Sequence, residues 1–331
     1  TVIGEVAMGQ VAETPAGPAQ AFLVHTGGMI PPGADAVVML EQTQKLGSGE
    51  IEVLRPVAPG ENLVTAGEDI KTGEPLFPAG HLLRPQDIGG LLALGLTHVS
   101  VAMRPRVAII STGDEVVPPE ATPGPGQVRD VNTFTVAGLV TEAGGTPLPG
   151  GIVPDNYEAL LGATRAALDR ADVLVLSAGS SVSTRDLTAA VVNELGQPGV
   201  LVHGVALKPG KPTILGVCAG KPVLGLPGNP VSAMVAAELF LRPLLAHLQG
   251  MTEPPAGRYV AATLARNVSS QAGREDHVPV KIIEQDGKVW AEPVLGKSNL
   301  IYTLVRANGM IEVPLDANGL HRGDPVRVRM F

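Results

Sequence analysis

The sequence predicts a multidomain α/β protein in which a central α/β domain is flanked by small all-β domains. The first observation is a regular alternation of apolar runs and helical patterns over residues 104–250, typical of a largely parallel sheet with helices on both faces. The second is a series of short apolar runs separated by Gly and Pro over residues 1–64 and 251–331, which indicates β domains. The third is length, because 331 residues suffice for two or three domains of about 150 residues each.

The N-terminal part divides into a β domain, residues 1–64, and a linker or helical segment, residues 65–103. The strands predicted in the β domain are Ala21–Val24, Ala36–Leu40 and Ile51–Leu54. In the second segment Arg84–Gly95 has helical spacing, and Pro85 suits a first helical turn. This segment is too small to hold a core alone. We therefore expect it to pack on another domain or subunit, and to complete an elongated domain whose first half lies upstream of Thr1.

Residues 104–250 are predicted to form the α/β domain, and residues 251–331 the C-terminal β domain. The strands predicted in the α/β domain are Val107–Ile110, a run ending at Val153, Val173–Leu176, Val200–Leu207, Ile214–Cys218 and Val223–Leu226. The predicted helices are Thr133–Ala143, Asn156–Arg170, Asp186–Leu195 and Pro230–Leu248. The strands predicted after residue 251 are Tyr259–Leu264, Val278–Ile283, Val289–Val294 and Val326–Val328.

Composition and charge limit the classes of partner. The formal net charge is −8 with no basic block, which argues against a nucleic-acid surface, so a local site must hold any anionic ligand. The single cysteine, Cys218, excludes an intramolecular disulfide and a cysteine-rich metal site. No apolar run approaches the roughly 18 residues that cross a bilayer, and no secretory signal is visible, so we expect a cytoplasmic protein without a membrane partner. Because the chain begins with Thr1 rather than Met, we expect that an N-terminal piece has been lost.

The stretch Asp172–Asp186 combines a buried strand, a turn of small residues and a helix start. An uninterrupted apolar run ends at Ala178 and Gly179, where the chain can turn sharply. The hydroxyls of Ser180, Ser181 and Ser183, together with the positive end of the helix, favour an anion such as phosphate. The structural alternative is a capping box, because Ser183–Asp186 also fits the S-x-x-D pattern.

Other polar stretches follow the remaining strands, where ligands of α/β sheets bind. Ser111–Glu115 is a tight turn with two carboxylates, which suits a hydrated Mg²⁺ or simply a solvated turn. Gly126–Asn132 offers donors and acceptors, although Asn132 could be the N-cap of the next helix. Asp155 precedes another helix, where it could likewise be a cap.

Two further loops favour an anion. Lys208–Pro212 places two lysines three residues apart on a proline-stiffened loop, which suits a phosphate or oxyanion or represents a surface turn with incidental charge. Pro227–Pro230 follows a strand and opens a long helix, where Asn229 caps, Gly228 lets a ligand approach the backbone and the dipole favours an anion. Simple helix initiation explains this stretch as well. The patterns of P-loop and dinucleotide-binding sites, zincins and serine hydrolases do not occur.

The order of these motifs resembles the MoeA/gephyrin E-domain family of molybdopterin molybdenumtransferases. The matching stretches are Ser111–Glu115, Gly126–Asn132, Ser177–Ser183, Lys208–Pro212 and Pro227–Pro230, with His25–Gly28, Gly67–Ile70 and Arg306–Gly309 on the flanks. The resemblance implies a four-part fold, a homodimer, and protein partners among molybdoenzymes or enzymes of cofactor biosynthesis. It also implies a reaction in which molybdate and adenylylated molybdopterin yield the metal-loaded cofactor and AMP, with Mg²⁺ assisting.

The resemblance also implies roles for individual residues. The predicted catalytic residues are Asp69, Glu115, Asp155 and Asp186, of which Glu115, Asp155 and Asp186 would also hold the metal. The predicted cofactor-binding residues are Thr26, Thr112, Gly113, Asp114, Asp130, Asn132, Gly179, Ser180, Ser181, Ser183, Lys208, Lys211, Pro227, Gly228 and Asn229.

Two departures from the family pattern leave alternatives open. The family reads Gly-Gly-x-Ser-x-Gly where this chain has Ala178–Ser183, with Thr184 where an acidic residue is common, and its upstream Asp-Gly-Tyr-Ala motif is absent from these residues. One alternative is a molybdopterin adenylyltransferase, which would not need the flanking β domains. The other is a molybdopterin-binding scaffold that has lost its chemistry.

Overall fold

The computed structural model describes residues 1–178, 182–252 and 257–331, and within them the backbone alone of residues 182–185. The chain forms two compact units, Thr1–Pro78 and Ala79–Phe331. The larger unit contains both the α/β sheet and the C-terminal β sheet. The finer division at residues 64, 103 and 250 stays a prediction.

The smaller unit is built from short strands. Strand β1 (Val2–Val6) pairs in parallel with β2 (Ala21–Val24), and β3 (Thr43–Gly47) pairs antiparallel with β4 (Glu50–Val53). The β3–β4 turn places Ser48 at a φ of 42° in the left-handed region. Two of the three strands predicted here are confirmed within about a residue at their ends: Ala21–Val24 is β2, and Ile51–Leu54 corresponds to β4.

The predicted strand at Ala36–Leu40 is wrong. Residues 36–39 form no strand ladder, and Leu40 begins a 3₁₀ turn, Leu40–Gln42. The backbone N–H of Val37 donates to the Glu61 carbonyl at 3.1 Å, and its carbonyl accepts from the Asn62 side chain at 2.7 Å. The backbone of this apolar run thus forms hydrogen bonds with a loop and not with a neighbouring strand. An apolar pattern alone does not distinguish these two cases.

Helix α1 (Pro85–Ala93) forms where the sequence predicts it. The Asp87 carboxylate accepts hydrogen bonds from the Arg84 backbone N–H at 2.8 Å and from the Arg84 guanidinium, also at 2.8 Å. These bonds fix the helix start, and Pro85 needs no N–H there. The guanidinium also holds the pKa of the Asp87 carboxyl well below its usual value.

The α/β domain contains a six-stranded sheet in the order β10-β12-β13-β9-β5-β8. Its elements and the short strands between them are β5 (Arg106–Thr112), β6 (Val116–Val117), β7 (Val128–Arg129), α2 (Asn132–Glu142), β8 (Thr146–Val153), α3 (Tyr157–Arg170), β9 (Val173–Ala178), α4 (Val182–Glu194), β10 (Pro198–His203), β11 (Leu207–Lys208), β12 (Ile214–Cys218), β13 (Lys221–Pro227), α5 (Pro230–Ala236), a π-helical turn Ala237–Leu241 and α6 (Arg242–Leu248).

Strands β13, β9, β5 and β8 are parallel, as predicted, whereas β12 and β10 extend the sheet antiparallel at one edge. The predicted strand Val200–Leu207 is two strands. Strand β10 ends at His203, because the chain turns at Gly204, whose φ is +92°. Leu207 and Lys208 then pair with the C-terminal β sheet instead. A continuous apolar run does not indicate which sheet its end joins.

Strand β9 is buried on both faces because each face contacts a separate core. Val173 and Val175 face a cluster with α2 and the helix at residues 230–248. Leu174 and Leu176 face the opposite cluster, with α3 and α4. Successive side chains of a strand point to opposite faces, so an uninterrupted apolar run is what a doubly covered strand requires.

The helix at Pro230–Leu248 is long and apolar enough to cross a membrane by length and composition, so the expectation that no run approaches that length is wrong. Half of its apolar window is buried inside the protein. Ala233, Leu241 and Leu245 belong to the α/β core. The apolar face of this helix therefore packs on the sheet.

The C-terminal β sheet closes on itself. The elements of residues 257–331 are β14 (Tyr259–Leu264), β15 (Val268–Ser269), β16 (Glu275–Gln285), β17 (Lys288–Pro293), α7 (Tyr302–Val305), β18 (Gly309–Val313), β19 (Gly319–Leu320) and β20 (Pro325–Met330). Strands β15 and β19 pair with each other in a separate two-stranded sheet. Strand β18 pairs with both β16 and β20, which completes a barrel around a separate core. All four predicted strands are confirmed; β18 was not predicted.

Candidate functional site

The carboxyl ends of β5 and β8 bring predicted acidic residues together. Thr112 ends β5 and donates its hydroxyl to Asp155 Oδ1 at 2.6 Å. The backbone N–H of Asp155 donates to Asp114 Oδ1 at 3.2 Å. The parallel register pairs Thr112 with Val153, so the residues that follow the two strands meet at one edge of the sheet.

Gly113 permits the tight turn after β5. Its φ is +150°, and a Cβ built there would lie 2.7 Å from Glu115 Oε2. Only glycine therefore allows the half-buried Glu115 side chain to fold back against the turn. The sequence pattern Thr-Gly-Asp-Glu thus encodes a local shape as well as two carboxylates.

Asp155 is not the helix cap that its sequence position suggests. The side chain of the next residue, Asn156, accepts the hydrogen bond from the Ala159 backbone N–H at 3.1 Å and caps α3. The Asp155 carboxylate bonds the Thr112 hydroxyl instead. This geometry favours a role for Asp155 at the strand ends.

Asn132 ties together the ends of two strands. It is 6% exposed, and its amide nitrogen donates to Ser177 Oγ at 2.8 Å and to the Gly228 carbonyl at 2.9 Å. The alternative that Asn132 is an N-cap is wrong, because it is the first residue of α2. Both hydrogens of the amide are used, and they tie the end of β9 to the loop after β13.

Asp130 is also buried beneath the site. Its Oδ1 accepts from Ser111 Oγ at 3.0 Å and from the Thr133 backbone N–H at 3.1 Å. The second bond satisfies an N–H in the first turn of α2. Asp130 therefore connects β5 to α2 and helps to fix the positions of these two elements relative to each other.

The loop at Lys208–Pro212 lies beside the C-terminal barrel. Lys208 Nζ forms an ion pair with Asp276 Oδ2 at 3.1 Å. Arg274 Nε contacts the other oxygen of Asp276 at 2.9 Å. In the part of the chain that the structure describes, Lys211 is exposed and forms no ion pair. The two predicted lysines therefore differ: Lys208 is held in place and Lys211 is not.

A cavity of about 710 Å³ lies between the strand-end loops and the barrel. Four of its lining residues are cationic: Lys208, Lys211, Arg274 and Lys297. Asp276 is the carboxylate among them, so this wall of the cavity is positive although the chain as a whole carries −8. Such a cavity suits a small oxyanion or a phosphate.

The loop before the long helix contacts the barrel as well. Asn229 Nδ2 donates to Ser298 Oγ at 3.0 Å, and the Val231 backbone N–H donates to the Ser298 carbonyl, also at 3.0 Å. The prediction that the Asn229 side chain caps this helix is wrong, because no side-chain cap bond forms. Pro227 and Gly228 line the same cavity.

Local sequence patterns do not identify the residues that the barrel contributes, namely Arg274, Asp276, Lys297 and Ser298. One signal was present, since Arg274–His277 is a polar, charged run at the start of a β segment. A run of this kind at a strand start is usually solvated. Its pairing with Lys208 depends on the packing of two domains, which the local pattern does not encode.

The N-terminal region of MoeA, domains I and II, matches residues 1–95, a probable molybdopterin-binding domain matches residues 108–247, and the C-terminal region of MoeA, domain IV, matches residues 261–331. A molybdopterin molybdenumtransferase from Bacillus subtilis is 33% identical over 334 residues, covering 100% of this chain and 77% of the relative. The chain belongs to the molybdopterin molybdenumtransferase (MoeA) family. The resemblance inferred from the ordered motifs is thereby confirmed.

Further relatives agree with this MoeA assignment. A molybdopterin molybdenumtransferase from Haemophilus influenzae is 33% identical, with 94% of this chain and 77% of the relative covered. The crystal structure of a molybdopterin biosynthesis MoeA protein from Pyrococcus horikoshii superposes with a TM-score of 0.83 at 33% identity, covering 100% of this chain and 80% of that chain. The predicted fold class, a central α/β domain flanked by β domains, is that of the MoeA family.

The remaining site residues predicted from the MoeA resemblance are on helix α4, in the smaller unit or outside the described residues. Gly179, Ser180 and Ser181 lie outside the described residues, as does the Ser183 side chain. Helix α4 begins at Val182, so Ser183 is not the N-cap of a capping box. Asp186 is exposed on the first turns of α4. Thr26 and Asp69 belong to the smaller unit, where both are exposed. All of these residues stay predicted members of the site.

Proposed function

We propose that this protein transfers molybdenum from molybdate to adenylylated molybdopterin and releases AMP. The observation that carries the proposal is the positive cavity that the loops after β11 and β13 form with the barrel, in a chain that matches the MoeA family from end to end. The names of relatives at about 33% identity support a transferase of molybdenum cofactor biosynthesis.

The strand-end loops would hold the adenylylated molybdopterin. Thr112 to Asp114 at the end of β5 and Pro227 to Asn229 at the end of β13 supply hydroxyl and backbone groups at one edge of the sheet. The predicted binding residues Gly179, Ser180 and Ser181 follow β9 in the sequence. Asp130 and Asn132 set the positions of these loops from below. The resulting edge fits a phosphorylated ligand.

The cationic wall would hold the oxyanion. Lys208, Lys211, Arg274 and Lys297 line the cavity and would bind molybdate through charge-assisted hydrogen bonds. Bringing molybdate and the phosphoanhydride to neighbouring positions converts an encounter in solution into a reaction within one complex.

The carboxylates of Glu115, Asp155 and Asp186 would hold Mg²⁺. Among the described residues no three His, Cys, Asp or Glu side chains are grouped closely enough to hold a metal by themselves. Magnesium commonly binds through one or two carboxylates, water and substrate phosphates, so the carboxylates after β5 and β8 fit a metal that arrives with the nucleotide. When bound, the metal would neutralise charge that develops on the phosphoanhydride.

We also propose a homodimer formed through the segment around α1. Eight large apolar residues of this segment are exposed: Leu82, Ile88, Leu92, Leu94, Leu96, Val99, Val101 and Met103. An apolar surface of this density usually marks a protein interface, and a second copy of the chain is the partner that the family resemblance implies. A cytoplasmic location and protein partners in cofactor delivery stay predictions.

The test is to incubate the protein with adenylylated molybdopterin and Mg²⁺, with and without molybdate, and to measure AMP. We expect AMP release that depends on molybdate. Release of pyrophosphate from ATP and molybdopterin would favour the adenylyltransferase instead. Ligand binding without AMP release would favour a scaffold and sink the proposal.

A further inference from the structure

Asp276 lies beneath the cationic wall of the cavity and contacts two of its cations. Its side chain is 3% exposed, whereas those of Lys208 and Arg274 are 53% and 34% exposed. Oδ2 accepts from Lys208 Nζ at 3.1 Å, and Oδ1 accepts from Arg274 Nε at 2.9 Å. One buried carboxylate thus binds a cation from the α/β domain and a cation from the barrel.

The backbone fixes this contact. Strand β11 pairs in parallel with the start of β16, with Leu207 opposite Glu275 and Lys208 opposite Asp276. The Glu275 backbone N–H donates to the Ala206 carbonyl at 2.9 Å. Because strand register places Asp276 beside Lys208, their ion pair does not depend on the chance meeting of two flexible side chains.

Because the Asp276 carboxylate is buried, its ion pairs with Lys208 and Arg274 are strongly favoured. Ion pairs between exposed side chains are weak, but a buried carboxylate without partners is strongly unfavourable. Lys208 and Arg274 therefore lose rotamer freedom when the protein folds and not when the anion binds. Lys211 and Lys297 line the same cavity, yet neither forms an ion pair within residues 1–178, 182–252 and 257–331.

We propose that Asp276 is a positioning residue for oxyanion binding. It orients Lys208 and Arg274 so that the N–H groups it does not use face the cavity. The inference rests on the proposed function, in which molybdate occupies this cavity. Asp276 itself would not touch the substrate, because like charges repel.

The sign of one mutational effect separates this role from simple electrostatics. Removing the charge of Asp276 makes the cavity more positive, which by Coulomb attraction alone would tighten the binding of an anion. If Asp276 acts by positioning, the same change frees the two cations and weakens binding. The two explanations therefore predict opposite shifts in the dissociation constant.

The experiment measures the dissociation constant of molybdate by equilibrium dialysis for the wild type and Asp276→Asn. We expect binding to weaken roughly tenfold, as for loss of hydrogen bonds between charged groups. In the AMP assay we expect the KM for molybdate to rise with little change in kcat. Unchanged or tighter binding would overturn the proposal.

A matched control removes the same charge from the same barrel. Glu292 on β17 pairs with Arg266 at 3.6 Å on the surface, so Glu292→Gln should leave molybdate binding unchanged. A double-mutant cycle with Lys208→Met tests whether Asp276 acts through Lys208. Asp276→Asn should weaken molybdate binding less when Lys208 is already absent. Fully additive effects of the two changes would contradict positioning.

Asp276→Glu covers the case in which the amide variant does not fold. This variant keeps the charge but displaces the carboxylate. A positioning role therefore predicts weaker molybdate binding, whereas electrostatics alone predicts no change in molybdate binding. The direct measurement of molybdate binding also distinguishes the proposed molybdenum transfer from the positioning role of Asp276. A wild type that binds molybdate but releases no AMP would sink molybdenum transfer and leave the positioning role standing, whereas a wild type that does not bind molybdate overturns the positioning role.

Discussion

At the scale of single residues, burial separates groups that face the cavity from groups that hold the loops. Lys211 and Lys297 are exposed and line the cavity. Asp130 and Asn132 are each 6% exposed and bond the protein itself. Charge removal at the first pair should therefore affect ligand binding directly, while changes at the second pair should act through the shape of the strand-end loops.

The ion pair at the other end of β9 gives a prediction about pH. Asp172 accepts hydrogen bonds from the Arg106 side chain at 3.0 and 3.2 Å and from its backbone N–H at 2.8 Å. The Arg106 side chain is the main cause that lowers the pKa of the Asp172 carboxyl. A lowered folded-state pKa stabilises the protein above the unfolded-state pKa, near 4, and this contribution is lost as pH falls through the folded-state value.

We therefore expect Asp172→Asn to lower the free energy of unfolding at pH 7 by less than about 1 kcal/mol, since both side chains are roughly half exposed. The difference from wild type should shrink below about pH 4. Urea denaturation at pH 7 and pH 3 measures it. The control is Glu194→Gln, which removes a carboxylate from the exposed Arg165–Glu194 pair. The prediction would be contradicted if the difference in unfolding free energy between Asp172→Asn and wild type were the same at pH 7 and pH 3.

At the scale of elements, the order of strands places the site. The carboxyl ends of the parallel strands β13, β9, β5 and β8 lie at one edge of the sheet. After β10 the chain leaves this sheet, and β11 joins the barrel before β12 returns to the α/β sheet. The lysine loop between β11 and β12 therefore forms a wall shared by two domains. The cavity lies where this connecting segment joins the α/β sheet to the barrel.

Strand β9 is the central element, which gives a stability prediction. Leu174 is 0% exposed and packs in the core with α3 and α4. Leu174→Ala should lower the free energy of unfolding by about 2–5 kcal/mol, because it removes apolar burial and leaves a cavity. Chemical denaturation measures this loss. Leu201→Ala on β10 is the control, since Leu201 is 60% exposed, and an equal loss at both positions would be inconsistent with the described core.

At the scale of the whole molecule, the exposed apolar segment around α1 gives a prediction about assembly. Leu92 and Leu96 are 56% and 44% exposed. If the proposed homodimer forms through this segment, replacing both with Glu should convert it to a monomer, because the charges would have to be buried at the interface. Sedimentation velocity over a range of concentrations measures the change. Leu201→Glu is the control, and a dimer that survived the double replacement would rule out this interface.

The sequence by itself determined most of the α/β domain. Its strands, turns and helices follow from signals within a few residues, such as the apolar run of β9 and the helix start at Pro230. The ordered motifs also identified the family before any fold was known. Local patterns were insufficient at Ala36–Leu40, where an apolar run bonds a loop, and at Leu207, where the run continues into another sheet.

Only the tertiary structure decided how the site is held. Asn132 bonds partners 45 and 96 residues away, and Lys208 pairs with Asp276, 68 residues further along the chain. Such bonds leave no periodicity in the sequence, because the two partners meet only when distant parts of the chain pack together. The residue types of the strand-end loops were therefore readable in advance, while the barrel's share of the cationic wall required the packing of two domains.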